Sequence, residues 1–314
     1  MYKNFYGFTE KPFEITPDPG FFFSSDKHRE ALAHLQYAIK EGKGFTVITG
    51  EAGSGKTTIV RTLLSKLSGN IRTAYIFNPM MDHTEFLHYI CEDLGVETDK
   101  QNGQAQLAQL HRFLLECYER NERVFLIIDE AQTLSRQLLH QVRLLTNLET
   151  SKSKLLHVML IGQPELDKIL EEAEFRPLKQ RISVRYYLPP LNGKEIADYI
   201  VYRLKRAGAR NLRIFHPEAV RAIAQYSKGI PRLINTICDN ALLSGFSTNK
   251  GFIGPELIHE VARDLKLTGR KKFFKWSYTW AAIIMSVSVL LVVLASVLLE
   301  PELSGLYRIM TGWL

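Results

Sequence analysis

Cysteine is scarce in this chain of 314 residues: Cys91, Cys117 and Cys238 lie far apart and share no metal-ligand spacing. An odd, scattered set excludes a disulfide framework and reads as reduced, buried thiols of a cytosolic protein. The nine histidines form no H-x-x-H or H-E-x-x-H group, which removes the common zinc hydrolase patterns. The opening stretch holds Pro12, Pro17 and Pro19 and no apolar leader segment, so no signal peptide is expected. There is no internal repeat and no low-complexity tract. Charge is missing from one place as well: from Trp276 to Leu299 there is no Asp, Glu, Lys or Arg.

That uncharged gap is itself informative. Trp280 to Leu299 would form a helix of about 30 Å, the thickness of a bilayer core. Only three serines interrupt it, and no charged face marks it as a buried core helix of a soluble domain. Arg263, Lys266, Arg270, Lys271, Lys272 and Lys275 crowd in front of it. The positive-inside tendency then keeps residues 1–275 in the cytoplasm, with the inner membrane spanned once and the tail outside. The same cluster suits anionic lipid head groups, so the formal charge of +7 does not call for nucleic acid.

The length allows one large domain and a smaller one. Residues 1–23 are aromatic and proline-rich, too apolar for a free tail, and are expected to pack on the main domain near its ligand. Ser25 or Asp26 can cap a helix that carries Ala31, Leu32, Leu35, Ala38 and Ile39 on one face. Strands are expected at 45–49, 72–77, 124–128 and 155–161, with helices at 82–94 and 104–120 and another carrying Leu134 to Leu148. Continuous apolar strands alternating with helices give a parallel α/β sheet. Past Pro189-Pro190 the strand signal stops, and helices broken at Gly208, Gly229 and Gly251 suggest a small α-helical lid. The organisation is therefore an α/β nucleotide domain over 1–190 and a lid over 191–265. A basic linker over 266–275, a span over 276–299 and a short tail over 300–314 follow.

Between the first strand and the helix after it stand Gly50-Glu51-Ala52-Gly53-Ser54-Gly55-Lys56-Thr57, the pattern G-x-x-x-x-G-K-[ST]. Glycines let successive backbone N–H groups turn inward, and the helix, continued by Thr58, points its positive end at the same anion. Lys56 would reach the β- and γ-phosphates of ATP, and Thr57 would ligand Mg2+. Asp129 and Glu130 end a buried strand, where an α/β sheet places its ligand. Asp129 is suited to hold Mg2+ through water, and Glu130 to deprotonate the attacking water. Gln163 follows the next strand and could contact both the γ-phosphate and the water, or be only a turn residue in Gly-Gln-Pro. Arg181 could serve a neighbouring subunit's nucleotide. Arg176 and Arg185 lie near enough that spacing alone does not choose, and a solvated surface role is equally open. Arg232 would begin a lid helix and reach the phosphates from the other side.

These parts, in this order, resemble the AAA+ ATPases, and more narrowly the general secretion pathway protein A (ExeA/GspA-type) ATPases. Relatives of that group belong to type IV pilus loci such as MSHA biogenesis and to exosortase loci. The resemblance rests on Phe5-Tyr6-Gly7-Phe8, Pro12-Phe13, Thr16-Pro17-Asp18-Pro19 and His28-Arg29-Glu30-Ala31-Leu32. It also rests on Gly162-Gln163-Pro164-Glu165-Leu166 and Pro231-Arg232-Leu233-Ile234-Asn235, and covers about residues 1–265. It implies a P-loop NTPase fold of AAA+ type and ATP hydrolysis by a homo-oligomer. The work would be coupled to inner-membrane secretion or pilus assembly proteins, or to an exopolysaccharide export machine. It further implies Arg181 as a finger acting in trans, Arg232 as the lid sensor, and an N-terminal box lining the adenine pocket. In the secretion members a periplasmic peptidoglycan-binding domain follows the span; Glu300 to Leu314 is too short for one, so cell-wall binding would fall to a partner. The alternative is a DNA-binding AAA+ ATPase of the transposition target-selection type, which the uncharged segment and the clustering of charge beside it disfavour. A scaffold that binds ATP without hydrolysing it is disfavoured by the intact Lys56, Thr57, Asp129 and Glu130.

Overall fold

The structure is a computed structural model and describes residues 1–15, 19–67, 69–98, 102–267, 284–292 and 294. The chain divides into two units, Met1–Leu265 and Lys266–Leu314. In the first, α1 (Tyr2–Tyr6) and α2 (Asp26–Lys40) precede a 5-stranded sheet. Its strands are β1 (Phe45–Gly50), β2 (Ile71–Ile76), β3 (Arg123–Ile128), β4 (Leu156–Gly162) and β5 (Val184–Leu188), in the spatial order β2-β3-β4-β1-β5. Every pairing is parallel. Parallel neighbours need crossovers, usually helical. These are α3 (Lys56–Leu64), α4 (His83–Asp93) with α5 (Gly103–Glu119), α6 (Arg136–Leu145), and α7 (Pro164–Glu171) with the one-turn α8 (Arg176–Lys179).

The strand period of two explains how both faces are filled. Val47, Leu126, Ile128, Val158 and Leu160 face a core shared with Phe86, Leu110, Leu138 and Val142 of α4, α5 and α6. Ile48, Phe125, Ile127, Met159 and Ile161 face the opposite core, with Leu35 of α2 and Ile59 and Leu63 of α3. A continuous apolar run is therefore what a strand covered on both sides requires. Past β5 come α9 (Gly193–Arg206), α10 (Pro217–Ser227), α11 (Pro231–Ser247) and α12 (Pro255–Asp264). Proline opens three of these helices, a position where its missing N–H costs nothing.

Several expectations shift. Ser25, not Asp26, caps α2 by accepting from the His28 N–H. The helix expected to carry Leu134 to Leu148 is shorter: Glu130 takes a left-handed φ of 51° and a tight turn at Ala131–Thr133 follows. Ser135 then caps α6 by accepting from Leu138 N–H. Of residues 1–23, Phe22 packs on the sheet core shared with α2 and α3 and meets His28 edge-on, whereas residues 1–15 do not pack beside the sheet. Tyr2 donates to Asp239, Tyr6 to the Lys250 carbonyl at 2.9 Å, and Phe13 meets Phe215 edge-on, all contacts within the helical part. An aromatic segment goes to whichever apolar surface is open, and here α9 to α12 supply it. Thr16-Pro17-Asp18 lies outside the described residues.

In the second unit residues 284–292 and 294 are helical. Among the described residues no helix is long and apolar enough to cross a membrane. The rest of the span expected at 276–299, the basic run from Arg270 to Lys275 and the tail over 300–314 lie outside the described residues.

Candidate active site

The phosphate loop leaves the carboxyl end of β1 and turns into α3. Gly53 and Gly55 hold φ of 79° and 102°, values that side chains other than glycine adopt at a cost. The loop closes on itself through Ser54 N–H to the Glu51 carbonyl at 3.0 Å. Lys56 is 6% exposed, and its ammonium donates to the Gly50 and Glu51 carbonyls at 2.7 and 3.0 Å. Burial lowers its pKa from the usual lysine range, against the nearby charges of Glu130 and Asp129. The buried Ser54 hydroxyl has no hydrogen-bond partner. A buried cation resting on neutral carbonyls, an orphaned hydroxyl and a glycine cradle fit an anionic phosphate chain.

Asp129 ends β3 and is fully buried. Its Oδ2 accepts from Thr57 Oγ1 at 2.7 Å and from the Tyr75 hydroxyl at 2.9 Å, and its Oδ1 from Glu130 N–H at 2.9 Å. Burial, then the Asp129 charge, pushes the Tyr75 phenol up, so it stays a donor. Among the described residues no cluster of His, Cys, Asp or Glu could hold a metal unaided. The Thr57 hydroxyl and Asp129 carboxylate are hard oxygen donors, of the type Mg2+ takes when phosphates supply the remainder.

Glu130 projects from the left-handed turn, and its Oε2 accepts from Gln132 Nε2 at 2.6 Å and from Gln163 Nε2 at 3.2 Å. Gln163 caps α7 directly after β4, so the ends of β1, β3 and β4 converge here. Arg232 comes from the first turn of α11: its N–H donates to the Gly53 carbonyl at 3.3 Å, and its cation opposes that of Lys56. The structure thus gathers Lys56, Thr57, Asp129, Glu130, Gln163 and Arg232 around one loop.

Arg181 is not among them. It donates to Thr146 Oγ1 at 2.7 Å, at the carboxyl end of α6. Ser183 N–H donates to the Phe45 carbonyl, which sets Arg181 level with the start of β1. The phosphate loop leaves the far end of that 6-residue strand, about 16 Å along it. No arginine rotamer spans that, so Arg181 does not reach the loop of its own chain.

Three residues escaped the motif reading. Tyr75 and Gln132 act across strands. His28, only part of a recognised string, sits beneath the loop with Nε2 3.1 Å from the Ser54 carbonyl and Nδ1 2.7 Å from Ser25 Oγ. Burial lowers its pKa, so it is a neutral imidazole at this position, donating to the carbonyl and accepting from the serine. Its signal was the capping spacing Ser25-x-x-His28. Two surface cavities, of about 370 and 320 Å3, lie at the other end of the sheet and share Arg123 on their rims. They are separate from the phosphate loop.

A family profile described as "AAA domain" matches residues 39–170. Over 248 residues the chain is 45% identical to "General secretion pathway protein A" of Aeromonas hydrophila, a match covering 79% of this chain and 45% of that protein. The chain thus spans about half the length of the curated relative it matches. Among solved structures, Drosophila ORC bound to DNA superposes with a TM-score of 0.62 at 19% identity, covering 81% of this chain and 64% of that one. The Aeropyrum pernix ORC2 protein, solved as ADPNP and ADP complexes, gives 0.58 at 17%, covering 81% and 71%. At such identities these structures speak for the fold alone. Fold and loop together define a nucleotide-binding P-loop protein of the AAA class. Within that class the chain belongs to the general secretion pathway protein A type.

Proposed function

We propose that the chain is an ATPase, tethered to the inner membrane by the segment 276–299, whose ATP hydrolysis drives or regulates assembly of a cell-envelope secretion machine. The carrying observation is the convergence of Lys56, Thr57, Asp129, Glu130 and Gln163 on one loop, in a chain of this type. Lys56 exchanges its carbonyl partners for phosphate oxygens. Thr57 and Asp129 are the residues that would hold Mg2+, which when bound neutralises charge on the β- and γ-phosphates. The second oxygen of Glu130 receives the proton of the attacking water, whose oxygen bonds to the γ-phosphorus as the β–γ bridging oxygen leaves with ADP. Gln163 orients the water and the phosphoryl group with its amide. Arg181, too far from its own loop, is supplied to the next copy in a head-to-tail oligomer.

The test mixes two variants of the full chain. Lys56→Ala loses its own site and keeps Arg181; Arg181→Ala keeps its site and loses the finger. Each alone should be inactive, with nucleotide binding retained by the second. Random mixing at equal amounts rebuilds about a quarter of the interfaces in a ring, so turnover should return to about that fraction. Mixed oligomers with no recovery, or an Arg181→Ala chain that fails to bind nucleotide, refute the trans finger.

A further inference from the structure

We infer that Gln132 is a positioning residue that locks the proposed base, Glu130, to the phosphate-reading Gln163. The inference rests on the reading of Glu130 as the base. A glutamine amide has a donor end and an acceptor end, and both are committed here. Oε1 accepts the backbone N–H of Gln163 at 2.9 Å, and Nε2 donates to Glu130 Oε2 at 2.6 Å. Gln163 closes the ring by donating its own amide to that same oxygen at 3.2 Å. The arrangement cannot flip. Turning the amide over would set its oxygen against the Glu130 carboxylate and its NH2 against the Gln163 N–H.

Packing fixes the amide in place as well. A side chain at Gly162 would set a Cβ 3.1 Å from Gln132 Oε1 and 2.9 Å from Leu166 Cδ2, so the bare glycine lets Gln132 lie against the end of β4. Gln132 stands in the tight turn that the left-handed Glu130 begins, which aims both side chains at the same strand end. The consequence is chemical. Two amides hold Oε2 of Glu130, and among the described residues none donates to Oε1. One carboxylate oxygen is thereby anchored, while the other stays open to a water proton. Because Gln132 holds Gln163 by the backbone and Glu130 by the side chain, a movement of Gln163 toward a phosphate carries the carboxylate with it. Hydrolysis and phosphate sensing are joined through one amide.

Gln132→Leu keeps the side chain's bulk and removes both hydrogen bonds. In the purified full-length chain it should lower kcat about 30-fold, less than the roughly 10²–10⁴-fold that a positioned base supplies, because the base itself is retained. Affinity for a fluorescent non-hydrolysable ATP analogue should stay within about 2-fold, because no phosphate ligand is altered. In a Glu130→Gln background the same substitution should cost much less, since the base it positions is gone and only its hold on the Gln163 backbone is lost. Unchanged kcat in Gln132→Leu beside an inactive Glu130→Gln overturns the inference and leaves the base reading standing. An active Glu130→Gln overturns the base reading, and this inference with it. A parallel loss of affinity, or an equal fall in the Glu130→Gln background, reduces Gln132 to packing and also overturns it. Gln132→Glu, which keeps the shape but replaces the donor by a carboxylate, should be at least as slow as Gln132→Leu.

Discussion

Replacing Gly53 by alanine tests whether helix α11 and the phosphate loop are one mechanical element. A Cβ at Gly53 would stand 2.5 Å from the Arg232 Cβ, closer than side-chain carbons come, and φ at Gly53 is +79°. Two costs follow. The left-handed backbone costs an alanine about 1–2 kcal/mol. The overlap forces a shift of loop or helix, about 1–3 kcal/mol for overpacking of this kind. The total, about 2–5 kcal/mol, should appear in urea unfolding of the nucleotide-saturated chain, which sums loop distortion and helix displacement. The severe overlap is between two Cβ atoms, while Arg232 Cδ and Cγ stand at 3.3 and 3.4 Å, so truncating the rest of the arginine gives little relief. Gly53→Ala combined with Arg232→Ala should therefore stay close to the arithmetic sum of the singles. Gly53→Ala combined with Arg232→Gly removes the opposing carbon and should recover the overlap part, leaving only the backbone cost. Equal recovery by Arg232→Ala and Arg232→Gly, or a Gly53→Ala chain as stable as the parent, refutes the contact as the source of the cost.

The remaining predictions are briefer. Burial lowers the pKa of His157 to about 4 from 6.5, and its ring stacks on Phe125 at 4.7 Å. Below pH 6.5 the unfolded chain takes up the proton and the folded one does not, so stability falls with acidity until about pH 4 and is flat beyond. Urea unfolding should show the parent losing about 3 kcal/mol more than His157→Leu across that window; parallel pH profiles would contradict the assignment. Tyr75→Phe removes one of two hydroxyl donors to the buried Asp129 carboxylate and should cost about 1.5–3 kcal/mol of unfolding free energy. A loss below about 0.5 kcal/mol would show that Thr57 alone satisfies that oxygen.

How far the sequence discloses this arrangement depends on where each signal resides. β1, β3 and β4 are legible because burial on both faces demands unbroken apolar runs such as Val124 to Ile128. β5 is not, because an edge strand buries only Val184 and Leu188 and shows Arg185 and Tyr187 to solvent. The start of α6 was misplaced because Leu134 keeps the helical period while the left-handed Glu130 breaks the backbone before it. Lys56, Thr57 and Asp129 are legible since phosphate chemistry fixes their type and order. Gln132 and Tyr75 reach the site through side chains from separate elements, and no spacing along the chain encodes a bond between β2 and the end of β3. The aromatic residues of 1–15 announce that they are buried but carry no address.

Their seat joins them to helices α9 and α11. Arg203 of α9 is 7% exposed and has no carboxylate partner among the described residues. It donates to the Pro12 carbonyl from Nε and to the Glu14 carbonyl from Nη2 at 3.1 Å, and lies over the Phe21 ring at 4.7 Å. A buried guanidinium left without these partners would be costly, so α9 and the N-terminal segment are bound to move together. Asn235 of α11 adds a second tie by accepting from the Tyr199 hydroxyl at 2.7 Å while donating to the Glu14 carbonyl at 3.4 Å. The first turn of helix α11 in turn sets Arg232 against Gly53. A chain of contacts thus runs from the phosphate loop to α11, and through Asn235 and Arg203 to α9, Pro12 and Glu14. The sheet side of the same loop is held by neutral His28 from α2, which also feels the charge of Glu195 on α9. The loop thus touches α2 through His28 on one side and α11 through Arg232 on the other.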